Sequence, residues 1–129
     1  MQTSELDITF DEVKQYVKKL PSTAIAGHCA RAGSCLIAEA VWAKLPGLVR
    51  EADSVHVLPD VEYSEVSILA FRGDTRNSYV QAIRGPEGRK LARLAYAFDN
   101  AGAWGTPVPQ PVALGIVNAV EGLMEAGCL

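Results

Sequence analysis

A change of hydrophobic period constrains this chain more than any other feature. Apolar residues recur every three to four positions towards both ends and every second position in the middle. A helix buries one face at the first spacing and a strand at the second. Phe10, Val13, Val17 and Leu20 keep the helical spacing, Thr9 and Glu12 form a capping box ahead of them, and Pro21 ends the run. Residues 22–33 are small and turn-prone. Ser34 then serves as the expected N-cap of a second helix. Its stripe is Ile37, Val41, Leu45 and Leu48, with Ala38 and Trp42 beside it, and Pro46 and Gly47 end or bend it. Polar positions are few there, so this helix should be the most buried.

The middle alternates. "SVHVL" reads as a strand, and Pro59 and Asp60 as a turn. In "EVSILAF", Val66, Ile68 and Ala70 oppose Ser67, Leu69 and Phe71. "RGDTRN" reads as a second turn and "SYVQAI" as a third strand. Such tight connections favour an antiparallel meander. Helical spacing returns after Pro86, with Leu91, Leu94, Ala95 and Phe98 on one face and Arg89, Lys90 and Arg93 mostly on the other. The three prolines of "GTPVPQPVAL" exclude a central strand, leaving an extended linker or an edge segment. A last helix starts around Pro111 and carries Ala113, Ile116, Val117, Val120 and Met124. Grouped helices and strands predict an α+β fold, with about four helices on one face of a small, roughly three-stranded antiparallel sheet. The 129 residues fit one domain spanning 1–129, and with 49% apolar residues the chain needs neither metal nor disulfide to fold.

Composition removes several functional classes. Twelve Lys and Arg stand against fifteen Asp and Glu, a net charge of -3, which argues against nucleic acid as the main partner. The first residues are polar and acidic, without a basic and then apolar leader, and the apolar runs at 35–49 and 111–124 are too short and too interrupted for a bilayer. Three cysteines, an odd number, fit reduced thiols. The expected location is the cytoplasm, with no membrane contact.

Chemistry-bearing residues concentrate at His28, Cys29 and Cys35. Zinc takes about four ligands in short paired spacings. Here the spacing is Cys-x5-Cys without a second pair, and His56 and Cys128 are remote in sequence. No metal or cofactor is expected. A thiol pair is the alternative. Helix amides and Arg31 would lower the pKa of Cys35, with Cys29 as its resolving partner. The favoured reading is plainer: Cys35 is a small apolar residue buried in a first helical turn. Neither a nucleophile elbow nor a phosphate loop is present. Asp60, Glu62 and Glu65 cluster at a hairpin and read as solvated turn charges. Arg84, Arg89, Lys90 and Arg93 form the best anion-binding candidate, although stacking aromatics are missing, the chain is acidic and a solvated face is the favoured reading. The RGD tripeptide at 72–74 reads as turn chemistry. Trp104 lies outside every amphipathic stripe, either tucked on the core or exposed as a contact anchor.

Cys29, Cys35, Ala38, Ala40, Phe98, Asp99, Gly102, Val108 and Pro109 stand in an order that resembles a group of small uncharacterised proteins encoded by actinobacteria and their phages. The resemblance spans roughly residues 27–114, with Leu36 where the group has proline. It implies an accessory protein of phages or mobile elements. Asp99 becomes a candidate for bonding amides of the Trp104 loop.

The expected function is a non-enzymatic interaction module that binds another protein or itself as a homodimer. Trp104, Val117, Val120 and Met124 are the expected interface, and Gly115 and Gly122 would allow close helix packing between copies. The alternatives are a thiol or metal-binding protein centred on Cys29 and Cys35, and a nucleic-acid binder using the 84–93 patch.

Overall fold

The computed structural model describes residues 6–44, 54–72 and 74–127. In chain order its elements are α1 (Phe10–Lys19), β1 (Ile25–His28), α2 (Leu36–Lys44), β2 (Ser54–Pro59), β3 (Val66–Arg72), β4 (Asp74–Ile83), α3 (Gly85–Asp99), β5 (Pro107–Pro109) and α4 (Gln110–Glu125). The fold is α+β. Its strands form two antiparallel sheets, the meander β2-β3-β4 and the short pair β1-β5.

The periodicity of the sequence decides what is buried. In β3, Val66, Ile68 and Ala70 are buried while Ser67, Leu69 and Phe71 are only partly covered. Val55 and Val57 of β2 and Ile83 of β4 join the buried face, which α2 and α3 cover. α1 and α4 pack in turn on these helices. On the opposite face Leu58 and Val80 are each 49% exposed. Buried residues of all four helices and both sheets form one cluster, with Phe98, Ile37, Leu91 and Leu94 among its largest members.

Helix ends follow their local chemistry. Thr9 and Glu12 form the capping box that opens α1, and Glu87 of α3 accepts the Phe10 N–H at 2.7 Å. Pro86 and Pro111 occupy the first turns of α3 and α4, where a missing N–H is harmless. Gly88 lets α3 start directly against the end of β4, since a Cβ there would lie 2.2 Å from the Ile83 carbonyl oxygen. Gln110 is buried and ties the start of α4 to α1 and to the residue just ahead of β1. Its side chain donates to the Val17 carbonyl at 3.0 Å and its backbone N–H to that of Ala24 at 2.8 Å.

Three expectations need correction, and of the two readings of the three-proline segment the edge segment holds. Residues 22–33 contain β1, which local sequence does not announce because its partner β5 lies about eighty residues away. The three-proline segment is that partner: Val108 stands opposite Gly27, and β5 is an edge strand flanked by prolines. α2 begins at Leu36, so Cys35 and not Ser34 holds the cap position. Strand β4 starts at Asp74, which shortens the turn expected over 72–77. Leu45, Pro46, Gly47 and Leu48 lie outside the described residues. Among the described residues, no helix is long and apolar enough to cross a membrane.

Candidate functional site

The residues flagged in sequence converge where the end of β1 meets the loop after α3. After His28 the chain turns through Ala30, whose φ of 58° is unusual for a side chain bearing a Cβ. The Ser34 N–H returns to the Arg31 carbonyl at 3.0 Å, and the His28 N–H bonds the Ser34 carbonyl at 2.7 Å. This closes a tight loop over 28–34. Gly27 is needed beneath it, because a Cβ there would sit 2.8 Å from the Leu36 nitrogen.

The neighbouring loop is locked to this one. The Cys29 N–H donates to the Thr106 carbonyl at 2.9 Å, and the Gly105 N–H donates back to the Cys29 carbonyl at 2.8 Å. Asp99, the last residue of α3, accepts the Ala30 N–H at 3.1 Å, so its carboxylate bonds the 28–34 loop and not, as expected, an amide of the Trp104 loop. This holds Ala30 in its left-handed conformation. The amides of Asn100, Ala101 and Thr106 each find a carbonyl in the same turn. At the tip, Trp104 is 74% exposed. The Arg31 guanidinium carbon lies 5.6 Å from its ring centroid, a cation–π distance. The indole is thus displayed from a backbone with little freedom.

Among the described residues three concavities border the 30–34 loop, one of about 190 Å³ meeting it at Gly33 and lined also by Glu39, Trp42 and Ser54. The open one, about 420 Å³, is lined by Arg31, Ser34, His56 and Trp104 together with Ala30, Ala32 and Gly33. Phe71 steadies His56 through an edge-to-face contact with ring centroids 5.0 Å apart. The tighter one, about 110 Å³, lies between Asp99, Ala95 and Cys35 on one side and Val57, Leu58 and Pro59 on the other.

The sulfurs are quiet. Cys35 is buried at the head of α2, where its thiol accepts from the amides of Ala38 and Ile37 and lies 3.9 Å from the Ala32 carbonyl as donor. Helix amides alone would acidify it. Burial outweighs them and pushes its pKa from 9.0 to about 11, the reverse of what a reactive thiol requires. Cys29 is also buried, and burial first, then the Asp99 charge, raises its pKa. The same desolvation raises Asp99, against the pull of the Ala30 N–H, and raises Glu39, against the attraction of His28. His28 is half-buried, with its Nδ1 enclosed and unpartnered among the described residues. Among these residues no group of three or more His, Cys, Asp or Glu could hold a metal ion, and Cys128 lies outside them.

The other candidates disperse. Val117 and Val120 are 0% and 4% exposed and Met124 packs partly on the core, which corrects their expected place on an interface: α4 uses that stripe to bind its own molecule. Gly115 and Gly122 are exposed, with open space at each. In the basic patch, Arg84 pairs with Glu65 at 2.9 Å and Lys90 with Glu87 at 3.5 Å, while Arg89 and Arg93 are exposed on α3. Asp60 accepts the Ser64 N–H at 2.6 Å and its hydroxyl at 2.8 Å. These bonds, the hydroxyl's foremost, hold its pKa down, so this carboxylate shapes the hairpin. Two participants escaped sequence reasoning in this role, Arg31 beside Trp104 and His56, which lines the same hollow. No local pattern links residues so far apart in the chain.

No protein-family model, curated protein or solved structure matches this chain.

Proposed function

We propose that the protein is a non-enzymatic, cytoplasmic interaction module that grips a protein partner with Trp104 and the hollow beside it. One observation carries this. The most exposed aromatic side chain of the described residues stands on a loop braced by Cys29 and Asp99 instead of a loose one. An exposed tryptophan is unfavourable in isolation, whereas a pre-ordered one loses little entropy on binding and suits a contact hot spot. An accessory role, as the resemblance implies, is part of this proposal.

The thiol alternative has less support, because both buried cysteines are held protonated. The nucleic-acid alternative also has less, because Arg84 and Lys90 are already engaged with carboxylates. The test is affinity capture from host lysate with the wild-type chain and Trp104→Ala side by side. A protein retained by the first and lost from the second, with circular dichroism unchanged, is the expected result. Identical capture by both would refute the assignment of Trp104.

A further inference from the structure

The chemistry of the open hollow selects among protein partners. Among the described residues its ionisable lining groups are Arg31 and His56, and none of those that line it is a carboxylate. This is notable in a chain with fifteen acidic and twelve basic residues. Asp99 lines the tighter concavity and is bonded to the Ala30 amide, and Glu39 lines the one that shares Gly33 with the hollow. Arg31 lies against the Trp104 ring and is exposed, so its fork of N–H groups is presented at the rim. The His56 imidazole keeps at least one N–H donor in either protonation state, and the Ser34 hydroxyl supplies another. Trp104 adds a broad apolar plane beside these donors.

Resting on the interaction reading above, we infer that the hollow binds an acidic peptide segment, one that sets a carboxylate on Arg31 and an apolar side chain on Trp104. Charge complementarity identifies this occupant. A guanidinium takes a carboxylate through two parallel N–H···O bonds, and the cation–π contact at 5.6 Å keeps it beside the indole. A basic segment would meet Arg31 with like charge. A purely apolar one would cover the donors of Arg31, Ser34 and His56 without replacing their bonds to water.

The test is selection from a random-peptide display library on the full chain. Wild-type protein should enrich peptides with Asp or Glu next to an apolar residue. Trp104→Ala should lose them. Arg31→Gln should weaken the selected peptides by roughly tenfold, the loss of one charge-assisted contact. Arg31→Glu should turn the preference towards Lys and Arg. Arg31 is exposed, so neither change threatens the fold, and circular dichroism checks this. Trp104-dependent binders without acidic bias, or an acidic bias that survives Arg31→Glu, would overturn the partner class and leave the interaction module standing. A library yielding no Trp104-dependent binder at all would overturn both.

Discussion

The segment carrying the two cysteines and the loop carrying Trp104 touch through a pair of backbone hydrogen bonds, yet they treat their reactive groups in opposite ways. The first buries Cys29 and Cys35 and holds both thiols protonated. The second exposes an indole that the core could have used. A sulfur at a helix start and an aromatic in a Gly- and Pro-rich loop are equally conspicuous in sequence. What separates them is desolvation. At Cys35 it exceeds the favourable amide contacts, while at Trp104 it hardly acts. A functional surface is found where chemistry remains available to solvent, a condition that the two sulfurs fail and that Trp104 meets.

The largest expected effect breaks the frame that both segments share. In Gly27→Ala the new methyl would lie 2.8 Å from the Leu36 nitrogen and 3.0 Å from the Ser34 oxygen, both backbone atoms that cannot swing aside. Overpacking of this kind costs about 3 kcal/mol. Urea denaturation should show that loss, and thiol titration should show faster labelling of Cys29 and Cys35. If stability is unchanged, the tight approach of β1 to the start of α2 is wrong.

The next effect is a pH dependence. A thiol becomes charged on losing its proton, and the fold raises the Cys35 pKa from 9.0 to about 11. The folded state therefore holds this proton more tightly than the unfolded chain. The resulting stabilisation is complete below the unfolded pKa and is lost as pH rises through the folded one. Across that window the wild type should lose about 2 to 3 kcal/mol more than Cys35→Ser, whose hydroxyl does not titrate there. Equal losses in the two proteins would show that Cys35 is not desolvated.

Much of the architecture was legible because it depends on local repetition. The capping box at Thr9 and Glu12, the alternation in β3 and the apolar face of α3 each bury what their spacing assigns. The strand pair β1-β5 was hidden, because its stability comes from contacts across most of the chain and its sequence is dominated by glycine and proline signals. The candidate site was half legible. Trp104 stood out by type and Asp99 by its place in the motif, but the Arg31–Trp104 contact and the position of His56 arise from tertiary packing. The stripe of α4 shows the converse limit: periodicity marks an apolar face without saying whether it meets the protein's own core or another molecule.

A smaller effect tests the brace between the two loops. Asp99→Ala removes the acceptor for the Ala30 N–H at a residue with φ of 58° and should cost about 1 to 2 kcal/mol. Asp99→Asn keeps an oxygen in place and should cost less, while removing the negative charge that helps raise Cys29. Its Cys29 thiol should react at lower pH than in wild type, by an amount limited by the burial that is the larger cause. Chemical denaturation and pH-dependent thiol labelling read the two effects separately. Equal stability of the alanine and asparagine variants would mean that the hydrogen bond does not hold the loop.

The smallest change in stability is expected at the most conspicuous residue. Trp104 is 74% exposed, and its contact with Arg31 is a surface cation–π pair, so Trp104→Ala should lower stability by under about 1 kcal/mol. The same substitution should abolish partner capture, since truncating a central aromatic anchor costs about 2 kcal/mol or more of binding. This split between folding and binding distinguishes a displayed anchor from a core residue. A loss of several kcal/mol in denaturation would place the indole against the core in solution. The contrast between a silent thiol segment and an available tryptophan loop would then collapse, because both loops would be serving the fold.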